Sequence, residues 1–188
     1  QLTGGYFSGL VEGAETQIIS AAKASLCKEL VSDLVADGHK VVIFCRFVPE
    51  IKLLADSIRN SFYTHAMGAP DPVRVMYGET PAEERGIIVQ DFQENPDVKV
   101  FVAQTHTAGL GITLHAADIA IFYSPDFSYA DYAQARDRIH RAGQTKACTA
   151  IHLCCRDTID EMAFDAIANK RGLAESVVDN WKSYMKRT

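Results

Sequence analysis

Hydrophobic and polar positions along the chain follow two periods that alternate. From Glu15 to Asp37, the residues Ile18, Ile19, Ala22, Leu26, Leu30, Leu34 and Val35 recur at the three-to-four spacing of one helix face, and Gly38 ends the run. Val41-Val42-Ile43-Phe44-Cys45 then breaks that period. It is apolar without alternation, as suits a strand covered on both faces in a parallel sheet. The same succession repeats downstream. A helix is expected over 49–60 and a strand over 73–77. Thr80-Pro81-Ala82-Glu83 reads as a capping box with proline at the first helical position, opening a helix that runs to about Phe92 before Asn95-Pro96 breaks it. Strands follow over 98–103 and 119–123, a helix over 129–141 and a strand over 147–155. Thr158-Ile159-Asp160-Glu161 reads as the cap of a further helix, with Asp160 and Glu161 as ordinary helix-start acids. A last helix is expected after Gly172, ending in Lys182, Lys186 and Arg187. Strands and helices at this spacing predict an α/β fold with a mostly parallel sheet, which places ligands at the carboxyl ends of the strands.

Composition narrows the picture. The 188 residues, 47% of them hydrophobic, are enough for one sizeable core and so for one domain. The glycine-rich residues 1–14 are expected to be a linker or lead-in, and 15–188 the domain itself. The chain opens on Gln1 rather than methionine, without a basic region or apolar run, and is expected to be a piece of a longer protein. No segment approaches the roughly 20 apolar residues of a membrane span. The net charge of −5 argues against a free-standing nucleic-acid-binding domain but leaves room for a local basic patch. The five cysteines have no zinc-site spacing, which leaves buried thiols in a reducing compartment as the expectation and no metal site.

Candidate chemistry sits in two segments. Gln134-Ala135-Arg136-Asp137-Arg138-Ile139-His140-Arg141-Ala142-Gly143-Gln144 places Gln134, Arg138 and Arg141 on one face if the segment is helical. Two guanidinium groups on one rigid face can neutralise charge on a transferring phosphoryl group. The plainer alternative is a solvated helix on which Asp137 pairs with Arg141. One strand and one helix earlier, Val102-Ala103-Gln104-Thr105-His106-Thr107-Ala108-Gly109-Leu110-Gly111-Ile112-Thr113-Leu114 follows directly on a strand. Its glycines allow backbone N–H groups close to phosphate or ribose, or simply make a turn.

In order and spacing, these two segments resemble motifs V and VI of superfamily-two helicases, in the form found in Swi/Snf-related DNA translocases. The resemblance covers roughly residues 23–180. It implies a RecA-like, three-layer C-terminal lobe in which Arg138 and Arg141 act as arginine fingers toward ATP bound on another lobe, with Gln134 beside them. It also assigns Thr107, Gly109 and Gly111 to the nucleotide site, with Thr105 and Thr107 at the nucleic-acid backbone. Where such proteins usually have Gly-Leu-Asn-Leu, this chain has Gly111-Ile112-Thr113-Leu114. Val41 to Phe47 resembles motif IV, with Arg46 a candidate backbone contact. Tyr77-Gly78-Glu79-Thr80 resembles the next block, which would put Gly78 and Thr80 on the nucleic-acid track; a turn and a helix cap account for Thr80 equally well. The segment 116–126, closing in Pro125-Asp126, resembles the strand and loop between the two main motifs.

No Gly-x-x-x-x-Gly-Lys-Ser/Thr occurs in the sequence. The resemblance therefore implies that ATP and Mg2+ are held mainly by an N-terminal RecA-like lobe of the same polypeptide, and that this lobe alone is inactive toward ATP. The implied partners are that lobe and nucleic acid, with double-stranded DNA the expectation, and no membrane. Two other readings stay open: a binding module that keeps the helicase fold without motor function, and a flavodoxin-like or Rossmann-like enzyme, against which the missing Gly-x-Gly-x-x-Gly counts. The short, insertion-poor layout leads to the expectation of a cytoplasmic bacterial or viral protein.

Overall fold

The computed structural model describes residues 2–7, 17–18, 20–63, 70–125 and 128–170. Near the N-terminus, a 3-10 turn at Leu2–Gly4 leads into β1 (Tyr6–Phe7), which pairs antiparallel with β2 (Gln17–Ile18). Next come α1 (Ala22–Ala36), β3 (Val41–Cys45), α2 (Val48–Tyr63), β4 (Val73–Met76), α3 (Ala82–Glu94) and β5 (Val100–Gln104). A 3-10 turn (Thr105–Leu110), β6 (Ile119–Phe122), α4 (Tyr129–Arg136) and β7 (Thr149–His152) follow, and residues 159–170 form α5. Strands β3 to β7 make one parallel sheet in the order β4-β5-β3-β6-β7.

Alternation along β3 explains the three layers. Val41, Ile43 and Cys45 face Cys27 and Val31 of α1 and Ile51, Leu54 and Ile58 of α2. Val42 and Phe44 face the other way, toward Phe92 of α3, Tyr132 and Ala135 of α4 and Ile167 of α5. A strand covered on both sides has no polar face to alternate, which is why it reads as an unbroken apolar run. This is the RecA-like arrangement expected from the sequence.

Several elements differ from the sequence reading. The first helix begins at Ala22 rather than at residue 15, because Gln17–Ile18 is taken up by pairing with β1. It does end as expected. Gly38 (φ 88°) donates its N–H to Val35 O and His39 donates to Leu34 O, the two bonds of a Schellman cap. The Thr80 capping box does not form: Pro81 takes the N-cap place, and the Thr80 hydroxyl instead accepts the N–H of Tyr77. Of the cysteines, only Cys27 and Cys45 are buried, and burial pushes the Cys27 thiol up to about 12. The helix expected after Gly172, with its basic end, and Asp126 lie outside the described residues.

Candidate functional site

The carboxyl ends of β4, β5 and β3 lie side by side and carry the first group of candidates. Gln104, the last residue of β5, the middle strand of these three, ties its neighbours together. Its Oε1 accepts the N–H of Gly78 (3.1 Å) beyond β4, and its Nε2 donates to the carbonyl of Arg46 (3.3 Å) beyond β3. The Arg46 guanidinium stacks over the Phe47 ring at 5.2 Å, while the Arg46 backbone N–H donates to the Ser124 hydroxyl (2.7 Å) just beyond β6. On α3, Arg85 donates to the carbonyls of Thr80 (2.8 Å) and Gly78 (3.0 Å), fixing that turn. The three threonines are used internally. Thr105 donates to Cys45 O (3.1 Å), Thr107 donates to Gln104 O (2.6 Å), and Thr80 receives Tyr77 N–H (3.0 Å). All three hydroxyls are thus spent on the protein's own backbone at the carboxyl end of the sheet.

The second group forms around the paired arginines. Here the structure departs from the expected helix over 129–141. The Ser128 hydroxyl caps α4 by accepting Asp131 N–H (3.2 Å), and the helix then stops at Arg136. Tertiary contacts end it: the Arg138 carbonyl accepts the N–H of Leu114 (2.9 Å), and Ile139 drops into the core, leaving 1% of its surface exposed. Arg138 and Arg141 therefore stand on a turn rather than a helix face. They converge all the same. Arg138 Nη1 lies 3.4 Å from Ile112 O, while Arg141 Nη1 lies 3.0 Å from the Thr113 hydroxyl and 3.4 Å from Gly111 O. Gly111, at φ 76°, makes the left-handed step that presents these carbonyls, and Gly109 lies within the preceding 3-10 turn. Gln134 is exposed on α4 and makes no hydrogen bond to either guanidinium. The Asp137–Arg141 pair is not formed, since Asp137 accepts from Arg136 (3.2 Å).

Two cations stand side by side here. Among the described residues, no carboxylate pairs with Arg138 or Arg141. Arg138 is 7% exposed, and its Nε is buried without a hydrogen-bond partner. Burial, and then the charge of Arg141, push its guanidinium below the usual arginine range. A buried cation with an open donor beside a second cation is stabilised by an incoming oxyanion. A divalent cation does not fit between two guanidinium groups, so Mg2+ would have to be held elsewhere. A cavity of about 580 Å³ beside β7, lined by Tyr132, His152, Glu161 and Phe164, takes in none of these residues.

Sequence reasoning missed three glutamines. Gln93 on α3 donates to Thr113 O (2.9 Å), meets His115 Nδ1 at 2.6 Å and accepts Ala116 N–H (2.8 Å). Gln144 donates to the carbonyls of His115 (3.0 Å) and Ala117 (2.7 Å) from the far end of the arginine turn. Together they clamp the segment on which the arginines rest. The third is Gln104, which stood in the candidate segment after the strand but was given no role there.

Comparison with known proteins agrees with this geometry. The family model for the helicase conserved C-terminal domain matches residues 22–143. The chromatin-remodeling ATPase INO80 of Cryptococcus neoformans is 34% identical over 161 residues, 86% of this chain and 9% of its own length. The Drosophila melanogaster INO80 is 34% identical over 93% of this chain and 10% of its own. The chain thus spans about a tenth of the length of these curated relatives. Among solved structures, the C-terminal part of the Fun30 ATPase domain superposes with a TM-score of 0.68 at 28% identity, over 77% of this chain and 44% of that one. The Sulfolobus solfataricus SWI2/SNF2 ATPase core, in complex with double-stranded DNA, gives 0.61 at 29%, over 88% and 33%. The INO80 relatives, from fungi and a fly, overturn the expectation of a cytoplasmic bacterial or viral protein. That expectation rested on short loops, and loop length carries little free energy and so little information about origin. The chain belongs to the helicase conserved C-terminal domain family, as a second RecA-like lobe of the Swi/Snf-related branch of superfamily two.

Proposed function

We propose that this chain, from about residue 15 onward, is the C-terminal lobe of an ATP-dependent DNA translocase and completes an ATP site shared with an N-terminal lobe of the same polypeptide. One observation carries the reading: Arg138 and Arg141 converge on the Gly111–Thr113 segment with no carboxylate partner among the described residues, and Arg138 keeps a buried, unbonded Nε. In the closed pair of lobes, both guanidinium groups would face the γ-phosphate and neutralise the charge that develops there. Gln134, exposed one helical turn earlier, would approach the same oxygens from α4. Thr107, Gly109 and Gly111 would present backbone groups to the nucleotide. Mg2+, held mainly by the other lobe, would neutralise phosphate charge.

The nucleic-acid track would run across the ends of β4, β5 and β3, using Arg46 and the backbone around Gly78, Thr80, Thr105 and Thr107. Double-stranded DNA is the proposed substrate, supported by its presence in the SWI2/SNF2 core. The segment from Gln104 to Thr113 belongs to both surfaces, so closure over ATP and its release would be felt on the track. The lobe alone would turn over no ATP, and its DNA binding would weaken steeply with salt.

The test is ATP hydrolysis by the full-length parent, with and without double-stranded DNA, beside Arg141→Ala. The expected result is strong DNA stimulation that falls by about 10³ or more in the variant. Near-parental turnover in Arg141→Ala would overturn the finger assignment. A parent without DNA-dependent turnover would leave a binding module with this fold.

A further inference from the structure

Arg141 is an exposed side chain beside another cation, and nothing in its own turn holds it. Its one short hydrogen bond is donated by Nη1 to the Thr113 hydroxyl at 3.0 Å; the contact with Gly111 O, at 3.4 Å, is long for a hydrogen bond. Thr113 is itself fixed from below. Its carbonyl receives Gln93 Nε2, and Gln93 Oε1 takes the N–H of Ala116, so a single side chain grips the segment at two points three residues apart. On the other side, Leu114 N–H donates to Arg138 O, and Gln144 holds His115 and Ala117. The hydroxyl that meets Arg141 therefore stands on a segment bonded to α3 and to the arginine turn at once.

We propose that Thr113 is a positioning residue for Arg141, and that Gln93 sets the height of the Thr113 hydroxyl by clamping its backbone. Two repelling guanidinium groups sample separate rotamers unless something orders them. A neutral acceptor orders the exposed one without cancelling its charge, as a carboxylate would. When the lobes close, Nη1 stays on the Thr113 hydroxyl while the other guanidinium N–H groups reach the phosphate, so less rotamer entropy is lost in making that contact. The inference rests on the proposed role of Arg141, and the experiment separates the two.

In the full-length parent, Thr113→Val keeps the shape and removes the hydroxyl, while Thr113→Ser keeps the hydroxyl. Single-turnover ATP hydrolysis at saturating double-stranded DNA should fall about three- to tenfold in Thr113→Val, the loss expected for one exposed hydrogen bond to a charged group, and recover in Thr113→Ser. Added to Arg141→Ala, Thr113→Val should cause no further loss, because the residue it positions is gone. A parental rate in Thr113→Val, or a fall that persists in the Arg141→Ala background, overturns the inference while the arginine assignment stands. A parental rate in Arg141→Ala overturns both.

Discussion

Glu50 is a buried carboxyl in an apolar setting. It sits in the first turn of α2, 2% exposed. Its Oε2 accepts the Ser124 hydroxyl at 2.5 Å and Phe47 N–H at 3.3 Å, while Oε1 is buried with no partner. Burial pushes its carboxyl above the ordinary range, against the pull of the Ser124 and Phe47 hydrogen bonds and of Lys23. Ser124, oriented by Glu50, receives Arg46 N–H, so the carboxylate braces a proposed DNA contact at some cost in stability. The sign follows from proton linkage. The folded state holds the Glu50 proton more tightly than the unfolded chain, so the penalty is full above the folded pKa and is relieved as pH falls through it. Glu50→Gln keeps an acceptor for both donors and removes the charge. It should therefore raise the melting temperature at neutral and alkaline pH, with the advantage shrinking as pH falls toward the carboxylate range. Melting curves across that range are the check, and a gap that does not change with pH would rule out titration of Glu50 as the cause.

At the scale of elements, the two glycines that flank the arginine site do different work. Gly111 (φ 76°) has open space where a Cβ would go, so only its left-handed backbone requires glycine. Gly143 (φ 101°) would place a Cβ 2.9 Å from His115 Cδ2, and His115 is held by Gln93 and cannot swing away freely. Gly111→Ala should cost about 1 kcal/mol from backbone strain, and Gly143→Ala about 2 kcal/mol or more because strain and clash add. Equal losses in denaturant titration would mean that His115 yields. This junction also marks where the sequence stopped being legible. The central strands could be read because burial on both faces forces unbroken apolar runs. The paired arginines stood out because their motif is long, but they stand on a turn and not on the expected helix face. The end of α4 could not, since residues 137–141 are compatible with a helix, and what stops it is a carbonyl claimed by Leu114, far away in sequence. Gln93 escaped for the same reason: a glutamine on a helix is unremarkable until the loop it clamps, about twenty residues on, is folded beside it. Thr80 was half legible, as a turn but not as a cap, because Pro81 holds the N-cap place instead.

At the scale of the whole molecule, one buried ion pair joins α1, the first helix, to α5, the last described one. Lys23 Nζ on α1 lies 2.6 Å from Asp160 Oδ2 on α5, with side-chain exposures of 6% and 2%. Asp160 also accepts Cys155 N–H (3.3 Å), and the ammonium lies 5.1 Å from the centre of the Tyr123 ring. The Tyr123 hydroxyl in turn donates to Gly4 O (3.0 Å). Asp160, read from sequence as a helix-start acid, is thus the anchor by which α5 closes over α1, the end of β6 and the N-terminal turn. The cost of desolvating such a pair is nearly offset by its attraction and hydrogen bonds, so its net contribution is small while it is intact and large once it is broken. Asp160→Asn or Lys23→Met alone leaves one uncompensated buried charge or an unmatched polar site, and should destabilise by about 3–5 kcal/mol. The double variant Lys23→Met/Asp160→Leu removes both charges and should recover most of that loss, visible as a denaturation midpoint closer to the parent than either single variant. If the double variant is as unstable as the worse single one, the pair contributes through specific geometry rather than charge balance, and the anchoring lies in the Cys155 and Tyr123 contacts that surround it.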